Sequence, residues 1–460
     1  MSSTDRPTVP EPARHVPVIA EADLCVLGGS CTGVFAAIRA ARLGLRVVLV
    51  ERAGGFGGVA TISLVNVWHS PLDTVFETPI FAGLTVETMD RLRKRNAVTD
   101  RARSPHWAWC FNPAQLMIEL DELVTEHRVT PMLHTVFVAP HVDDDGKLDA
   151  VIVENKSGRG AVRARFFIDA TGDADVCHRL GLPTRVEHHL QPATTCALIS
   201  GWNSLACDAG KLLIEHGHAF NLPRGFAWGA HVPGSDVYML AGTRVHHTDC
   251  STAEGATHAE MEGRRQVRAI LDLLATHAPH AKLTLQALPA RIGIRETRHV
   301  ACRYQLTGDD VLHGRRFDDA IANGSYRVDV HHQDKPGITL QYLDGTQRYC
   351  VPGHADEVSR WRDPLPPGQS DPTFYQVPYR CLVPAARPDG RAFDNLLVAG
   401  RMIDTDPIAH AAVRVMVNMN QTGEAAGVAA ALCLQHDTPA AAVDVSALRR
   451  TLADGGSIIH

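Results

Sequence analysis

Residues 23–52 read DLCVLGGSCTGVFAAIRAARLGLRVVLVER, and the fold is read outward from this stretch. A short apolar run ending at Leu27 leads into the turn Gly28-Gly29-Ser30-Cys31-Thr32-Gly33. The residues that follow place Val34, Ala37, Ile38 and Ala41 on one helical face, the spacing of a stripe that packs against a sheet. Gly44 stands where a helix ends in a left-handed residue, and Val47–Val50 is the kind of apolar run buried on both faces of a parallel sheet. The stretch is therefore a βαβ unit. Its turn has the first and last glycines of a dinucleotide fingerprint in register, with Ser30 at the middle position. Gly28 permits the sharp turn, Gly33 lets helix and strand approach closely, and the helix N-terminus offers free N–H groups to a pyrophosphate. Ser30 brings a Cβ near the phosphates, which binding tolerates when the hydroxyl bonds a phosphate oxygen. Cys31 reads as a small buried residue within the turn. Glu51 ends the second strand at the distance expected of a carboxylate that accepts from ribose hydroxyls, and its charge disfavours a 2′-phosphate.

The glycines continue immediately, in Arg52-Ala53-Gly54-Gly55-Phe56-Gly57-Gly58-Val59-Ala60-Thr61. Four glycines beside the ribose-binding end imply backbone lying directly against a ligand. A plain NAD domain does not need this, so a larger cofactor is indicated.

The rest of the chain sets the class. It has 460 residues, 45% of them hydrophobic and 21% charged, enough for a sizeable core and two or three domains, which excludes disorder. Its 45 Lys and Arg against 51 Asp and Glu give a net charge of -6, with no global attraction to nucleic acid, so a small-molecule partner is expected. Eleven scattered cysteines fit free thiols in a reducing compartment, which favours the cytoplasm. No apolar stretch has the length and freedom from charge of a membrane span or signal peptide. The 25 histidines carry no HExxH or CxxC spacing, and no metal site is expected.

Residues 1–20 read as a flexible tail and 73–127 as a helical insertion, in which Trp107 and Trp109 are core residues. MLHTVFVAP, AVIVEN and VRARFFIDATGDAD read as strands, the last returning to the sheet. Residues 183–394 are irregular, with one clear helix over 259–277, and form the substrate domain. NLLVAGR is a strand, and AAVRVMVNMNQTGEAAGVAAALCL a small-residue helix suited to tight packing on a sheet. Residues 437–460 form a C-terminal segment.

Five stretches in the same order resemble the FAD-dependent oxidoreductase family of the glutathione-reductase-type flavoprotein superfamily. They are DLCVLGGSCTGVFAAIRAARLG, VERAGGFGGVATISLVN, FFIDATGDADVCHRLGLP, GIRETRHVACRYQLTGDDVL and VPYRCLVP with NLLVAGRMIDTD, AHAAVRVM and GEAAGVAAAL. The resemblance implies an α/β fold. A discontinuous Rossmann-like FAD-binding domain, 21–72 with 128–182 and 395–436, would join a mixed α+β substrate domain, with the isoalloxazine ring at their interface. It implies that Gly28, Gly29, Ser30, Cys31, Thr32 and Gly33 hold the pyrophosphate, and that Glu51 and Arg52 hold the adenosine. Gly57, Gly58, Val59, Ala60 and Thr61 would face the flavin side. Ala170, Thr171, Gly172 and Asp173 match the turn that flanks the dinucleotide, and Gly400, Arg401 and Asp404 the segment that meets the ribityl chain and pyrophosphate. Ser30 departs from the pattern and puts the tightness of phosphate binding in question.

A flavin accepts hydride at N5, while the protein orients substrate and tunes charge near N1 and C2=O. A helix N-terminus suits that place, and the segment with His410, Arg414, Asn418 and Asn420 supplies one, Arg414 adding a full charge. In the substrate region, Arg295-Glu296-Thr297-Arg298-His299 offers Arg295 or Arg298 to anchor a substrate. Asp329-Val330-His331-His332, if extended, puts Asp329 and His331 on one face. His331, with a pKa expected near neutrality, is the candidate base. Asn66 and His69 are further pocket candidates, and His69 a candidate covalent tether for flavin. The expected activity is FAD-dependent hydride transfer, as a dehydrogenase or oxidase, between flavin N5 and a small polar alcohol, sugar, amine or acid. The alternatives are a flavoprotein isomerase or lyase without net redox, or a flavin-bearing RNA-modification or binding protein. The electron acceptor and oligomeric state are left open by the sequence.

Overall fold

Strand β1 (Val18–Leu27), helix α1 (Cys31–Arg42) and strand β2 (Val47–Val50) form the expected βαβ unit in a computed structural model that describes residues 7–101 and 108–460. β1 runs parallel to β2 from Leu24↔Val47 to Leu27↔Val50, and parallel on its other side to Gly158–Asp169. Pairing with the latter already at Val18↔Ala161, it begins at Val18, earlier than the end of the tail expected to reach residue 20. The seven-stranded sheet is completed by Thr130–Met132 beside β2, by Leu396–Val398 parallel to Gly158–Asp169, and by the antiparallel strands Leu148–Asn155 and Val136–Val142. The chain's C-terminal part thus returns to the sheet begun by its N-terminal part. MLHTVFVAP, read as one strand, is two strands at different places in the sheet. His134 adopts a left-handed φ of 50° between them, which ends the first run and redirects the second.

The small-residue helix packs on α1 as well as on the sheet strands Gly158–Asp169 and Leu396–Val398. A Cβ on Gly423 would lie 2.0 Å from Thr32 O, and one on Gly427 2.1 Å from Ala36 O, so two glycines one helical turn apart let the backbones touch. The helix is also broken. Val415 is extended (ψ 143°), dividing the run into Pro407–Val413 and Met416–His436.

The insertion is less helical than expected. Helices Gly83–Lys94 and Pro113–Glu126 flank a three-stranded antiparallel sheet of Val67–Trp68, Trp109–Phe111 and Val98–Asp100, in which the Val67↔Cys110 pairing joins segments distant in sequence. Their Leu84, Met89, Leu116 and Leu120 share one core with β1 and α1. Trp109 is buried in that sheet, and Trp107 lies outside the described residues.

In the substrate region, Trp228–His231, Tyr238–Ala241, Ala197–Ser200 and Thr284–Ala287 form one sheet, backed by a helix Ala253–His277 that starts earlier than read because Thr252 caps it. A second sheet, Val328–His331, Ile338–Gln341, Thr346–Cys350 and Glu357–Arg360, carries the DVHH segment. Among the described residues no helix is long and apolar enough to cross a membrane.

Candidate active site

The glycine turn is built as its sequence requires. Gly28 holds φ +105° with its N–H on Val50 O at 2.8 Å, and a Cβ there would sit 2.2 Å from Ala170 O. A Cβ on Gly33 would sit 1.8 Å from Gly28 O. Both are therefore close approaches that only glycine permits. Ser30 is the residue before α1 and its side chain makes no capping hydrogen bond. Gly29 N–H donates to Glu51 Oε2 at 2.5 Å and Ala53 N–H to Oε1 at 2.7 Å, which fixes the carboxylate at the end of β2. Gly57 N–H donates to Gly29 O at 2.8 Å, and Gly58 lies so near Ser30 that an added Cβ would meet the serine Cβ at 2.7 Å. Thr61 Oγ1 donates to Phe56 O, bracing that loop. Burial raises the Cys31 thiol to about 12, which keeps it protonated.

These elements wall a cavity of about 370 Å³. Ser30, Cys31, Thr32, Gly57, Val59, Ala170, Gly172, Gly400 and Arg401 face it. Gly28, Gly29, Gly33, Glu51, Gly58, Ala60, Thr61 and Thr171, expected on the cofactor, are not among its lining residues; Thr171 Oγ1 bonds Asp169. Asp173 is a buried node that accepts from Arg52 at 3.2 Å, Arg291 at 3.0 Å and Thr297 Oγ1 at 3.0 Å, and also pairs with Arg401. It joins the first glycine loop to the substrate region and the C-terminal strand. Asp404, expected on the cofactor, is directed away from the cavity, accepting from Arg185 at 2.7 Å and Cys302 N–H at 2.8 Å.

The cavity's other residues come from the substrate region and the helix break. His331 Nε2 lies 3.4 Å from Asp329 Oδ1, so alternation does put the two on one face. Asp329 also accepts from Tyr326 Oη at 2.8 Å and pairs with Arg414 at 3.5 Å. His331 Nδ1 is buried without a hydrogen-bond partner. Burial pushes His331 down to about 4 despite the adjacent carboxylate, which corrects the expectation of a pKa near neutrality. Opposed by burial but favoured by His331 and Arg414, Asp329 stays ionised, well below the usual carboxylate range. The pair thus sets an imidazole that burial holds neutral beside an ionised carboxylate.

Arg414 is not a solvated helix-face residue: it sits at the break, reaching Gln191 Oε1 at 3.3 Å, beside the N-terminus of Met416–His436. Met416, Met419 and Asn420 of that helix line the cavity. Its first N–H groups have no intrahelical acceptor, which makes this end electropositive. Arg295 lines the cavity and bonds Pro192 O and Thr194 Oγ1. Arg298 does not. It opens the strand Arg298–Val300, and its guanidinium is held by Asp173 O at 3.1 Å, Asp175 at 3.2 Å and Ser251 O at 2.9 Å. His410 is also displaced from its expected role, buried behind the cavity wall with Nε2 on Arg295 O at 3.2 Å and its ring 4.7 Å from that of His299. Glu296, His299 and His410 bring ligand-type atoms within 4.8 Å of one another, a compact set able to hold a metal. His299 already meets Glu296 and Ile403 O, both at 3.2 Å.

His69 lines the cavity with its ring 4.2 Å from Tyr326, whereas Asn66 is buried behind it. His332, on the opposite face of its strand, bonds Thr339 Oγ1 at 2.7 Å and faces an outer vestibule. Sequence reasoning missed Arg244, Phe226, Trp228 and Tyr326 on the cavity wall. Nothing local marks them. Only the pairing of distant strands brings them in.

The residues fit FAD. The approach distances at Gly28 and Gly33 clear the turn of side chains, the Gly400 N–H is fixed on Thr422 Oγ1 at 3.1 Å, and one cavity runs from this turn to the electropositive helix end.

The sequence pattern of the FAD dependent oxidoreductase family matches residues 23–452. No curated protein matches the chain. Among solved structures it is similar to a geranylgeranyl bacteriochlorophyll reductase-like protein from Thermoplasma acidophilum, at 11% identity and TM-score 0.46 over 95% of this chain and 84% of that one. It is also similar to the myxobacterial chondrochloren halogenase, at 15% identity and TM-score 0.44 over 95% and 80%. A third is p-nitrophenol 4-monooxygenase from Pseudomonas putida, at 13% identity and TM-score 0.40 over 62% and 71%. With the family pattern spanning nearly the whole chain and the dinucleotide turn built to receive the cofactor, this chain belongs to the FAD-dependent oxidoreductase family.

Proposed function

We propose that this enzyme oxidises a small polar substrate at a C–O or C–N bond, with His331 as the base and Arg295 as an anchor. The observation that carries this reading is the Asp329–His331 pair on the same cavity wall system as the dinucleotide turn, with Nδ1 of His331 unpartnered. When bound, FAD supplies a two-electron acceptor that takes a hydride equivalent at N5. The chain's residues do the rest. His331 Nδ1 takes the hydroxyl or amine proton as the substrate C–H bond breaks and a C=O or C=N bond forms. Asp329 keeps the proton on Nε2 and stabilises the imidazolium that results. The Met416–His436 N-terminus and Arg414 would supply positive charge to a reduced flavin held in this cavity. Apolar walls at Val65, Phe226, Trp228 and Ile338 displace water.

Anaerobic mixing of the FAD-loaded protein with alcohols, sugars, amines and hydroxy acids tests the reading. Bleaching of the flavin by one of them, slowed in His331→Ala at unchanged FAD content, is the expected result. A chain that catalyses isomerisation or elimination with its flavin spectrum unchanged would overturn it.

A further inference from the structure

The charges lining the cavity do not balance. Five arginines face it, Arg244, Arg295, Arg327, Arg401 and Arg414, against one carboxylate, Asp329. Arg401 is answered by Asp173 and Arg414 by Asp329, while Arg327 lies over the Tyr326 ring at 5.1 Å. Among the described residues, Arg244 and Arg295 have no carboxylate within ion-pair distance. Arg244 is 8% exposed and donates to Phe226 O at 2.7 Å, while Arg295 is held by a carbonyl and a hydroxyl. A neutral acceptor fixes a guanidinium in place without cancelling its charge. Two such cations beside one desolvated cavity are costly unless an anion joins them. The segments fitted to the pyrophosphate lie elsewhere on the wall, whereas Arg244 and Arg295 come from the substrate region, as Asp329 and His331 do.

A second observation is independent of the first. An outer vestibule of about 330 Å³ shares Phe226, Arg244, His331 and Ile338 with the main cavity. Its remaining charged lining is Arg224 and Lys335 against Asp334. Arg244 therefore stands between a basic entrance and the inner cavity. Gly225 makes room for it there, since a Cβ at that position would come within 2.1 Å of Arg244 Nη1. A positive funnel of this kind raises the local concentration of anions and the rate at which they arrive. The inner wall beyond it is apolar at Val65, Trp228 and Ile294, which suits a ligand with a hydrocarbon body.

Building on the oxidation reading above, we propose that the substrate is a small organic carboxylate, admitted through the vestibule and held by its carboxylate on Arg244 and Arg295. A planar guanidinium matches a carboxylate with paired, charge-assisted hydrogen bonds. His331 lines the same cavity as both arginines. Within the proposed activity the carboxylate contact selects hydroxy acids and amino acids over sugars and simple alcohols.

The test uses the FAD-loaded protein and matched pairs of acid and neutral amide: benzoate with benzamide, isovalerate with isovaleramide, and succinate with succinamide. Binding is read from perturbation of the flavin absorption band and, independently, by calorimetry. The expected result is that at least one acid binds roughly ten- to a hundredfold more tightly than its amide, the range of a charge-assisted hydrogen bond. Arg244→Gln abolishes that preference and Arg244→Lys restores part of it. Should Arg244→Gln fail to fold, Arg224→Gln and Lys335→Gln on the vestibule rim slow association of the acid and weaken its salt dependence. Acid and amide binding alike, no acid binding at all, or an acid preference untouched by these variants would each overturn the proposal. If Arg244→Gln instead shifts only the flavin potential, the arginine serves the cofactor and the proposal also falls. Failure of the oxidation reading itself is separately visible, because acids that bind would then leave the flavin unreduced throughout the anaerobic screen.

Discussion

Nε2 of His331 lies 3.4 Å from Oδ1 of Asp329, while Nδ1 of the same ring is buried without a partner. One nitrogen faces the carboxylate and the other meets no polar group. The ring is set beside a carboxylate, and burial rather than solvent sets its protonation.

The turn is the simplest element to test. A Cβ on Gly33 would meet Gly28 O at 1.8 Å, so Gly33→Val must part helix from strand and should purify without FAD. Ser30→Gly should keep it, since Ser30 makes no capping bond that would be lost. Absorbance of the purified variants near the flavin band distinguishes the two.

The glycines of Met416–His436 carry packing rather than chemistry. Gly427→Leu forces α1 and this helix apart and should destabilise the protein by roughly 1–3 kcal/mol or more, as overpacking does. Chemical denaturation of the FAD-loaded variant measures it.

Arg414→Ala removes a positive charge beside the cavity and leaves Asp329 less compensated, and both changes disfavour a reduced flavin anion. The reduction potential should fall by roughly 1–3 kcal/mol, the strength of one charge-assisted contact. Redox titration at constant FAD content gives the value.

His410 supplies a pH dependence of stability. Burial lowers it from 6.5 to about 3, so the unfolded chain takes up a proton as pH falls through the unfolded value while the folded protein does not. Its contribution is complete above pH 6.5 and declines as pH falls towards 3. The melting-temperature advantage of the natural protein over His410→Gln should therefore shrink on acidification; a constant gap would show that His410 titrates alike in both states.

The βαβ unit was legible because its signals are local: a strand, a glycine turn and a helix stripe occur within thirty residues. Of the glycines at Gly54–Gly58, Gly57 lines the cavity, whereas Gly54 and Gly55 close against His134 and Met117. What the sequence concealed depends on distant pairing. RETR offered two arginines, and only the register Val186↔Arg298 assigns Arg298 to Asp173 and Asp175 while Arg295 reaches the cavity. Arg244 stands in an unremarkable run, GTRVHH, and becomes a cavity residue only when its segment meets the DVHH sheet. The break at Val415 lies inside an apolar, small-residue stretch with no glycine or proline to mark it. His331 was recognised by residue type, but its pKa comes from neighbours contributed by separate segments, among them Arg244 and Arg295.

That His331, neutral in the resting protein, removes the substrate proton is the central proposal. It is tested most directly by single-turnover flavin reduction, with the first substrate that bleaches the protein, at pH values from about 5 to 9. The natural protein should show no loss of rate from this residue until pH approaches about 4, and His331→Ala should be slower by roughly 10²- to 10⁴-fold with FAD content unchanged. Reduction of His331→Ala at the natural rate across that range would contradict the account.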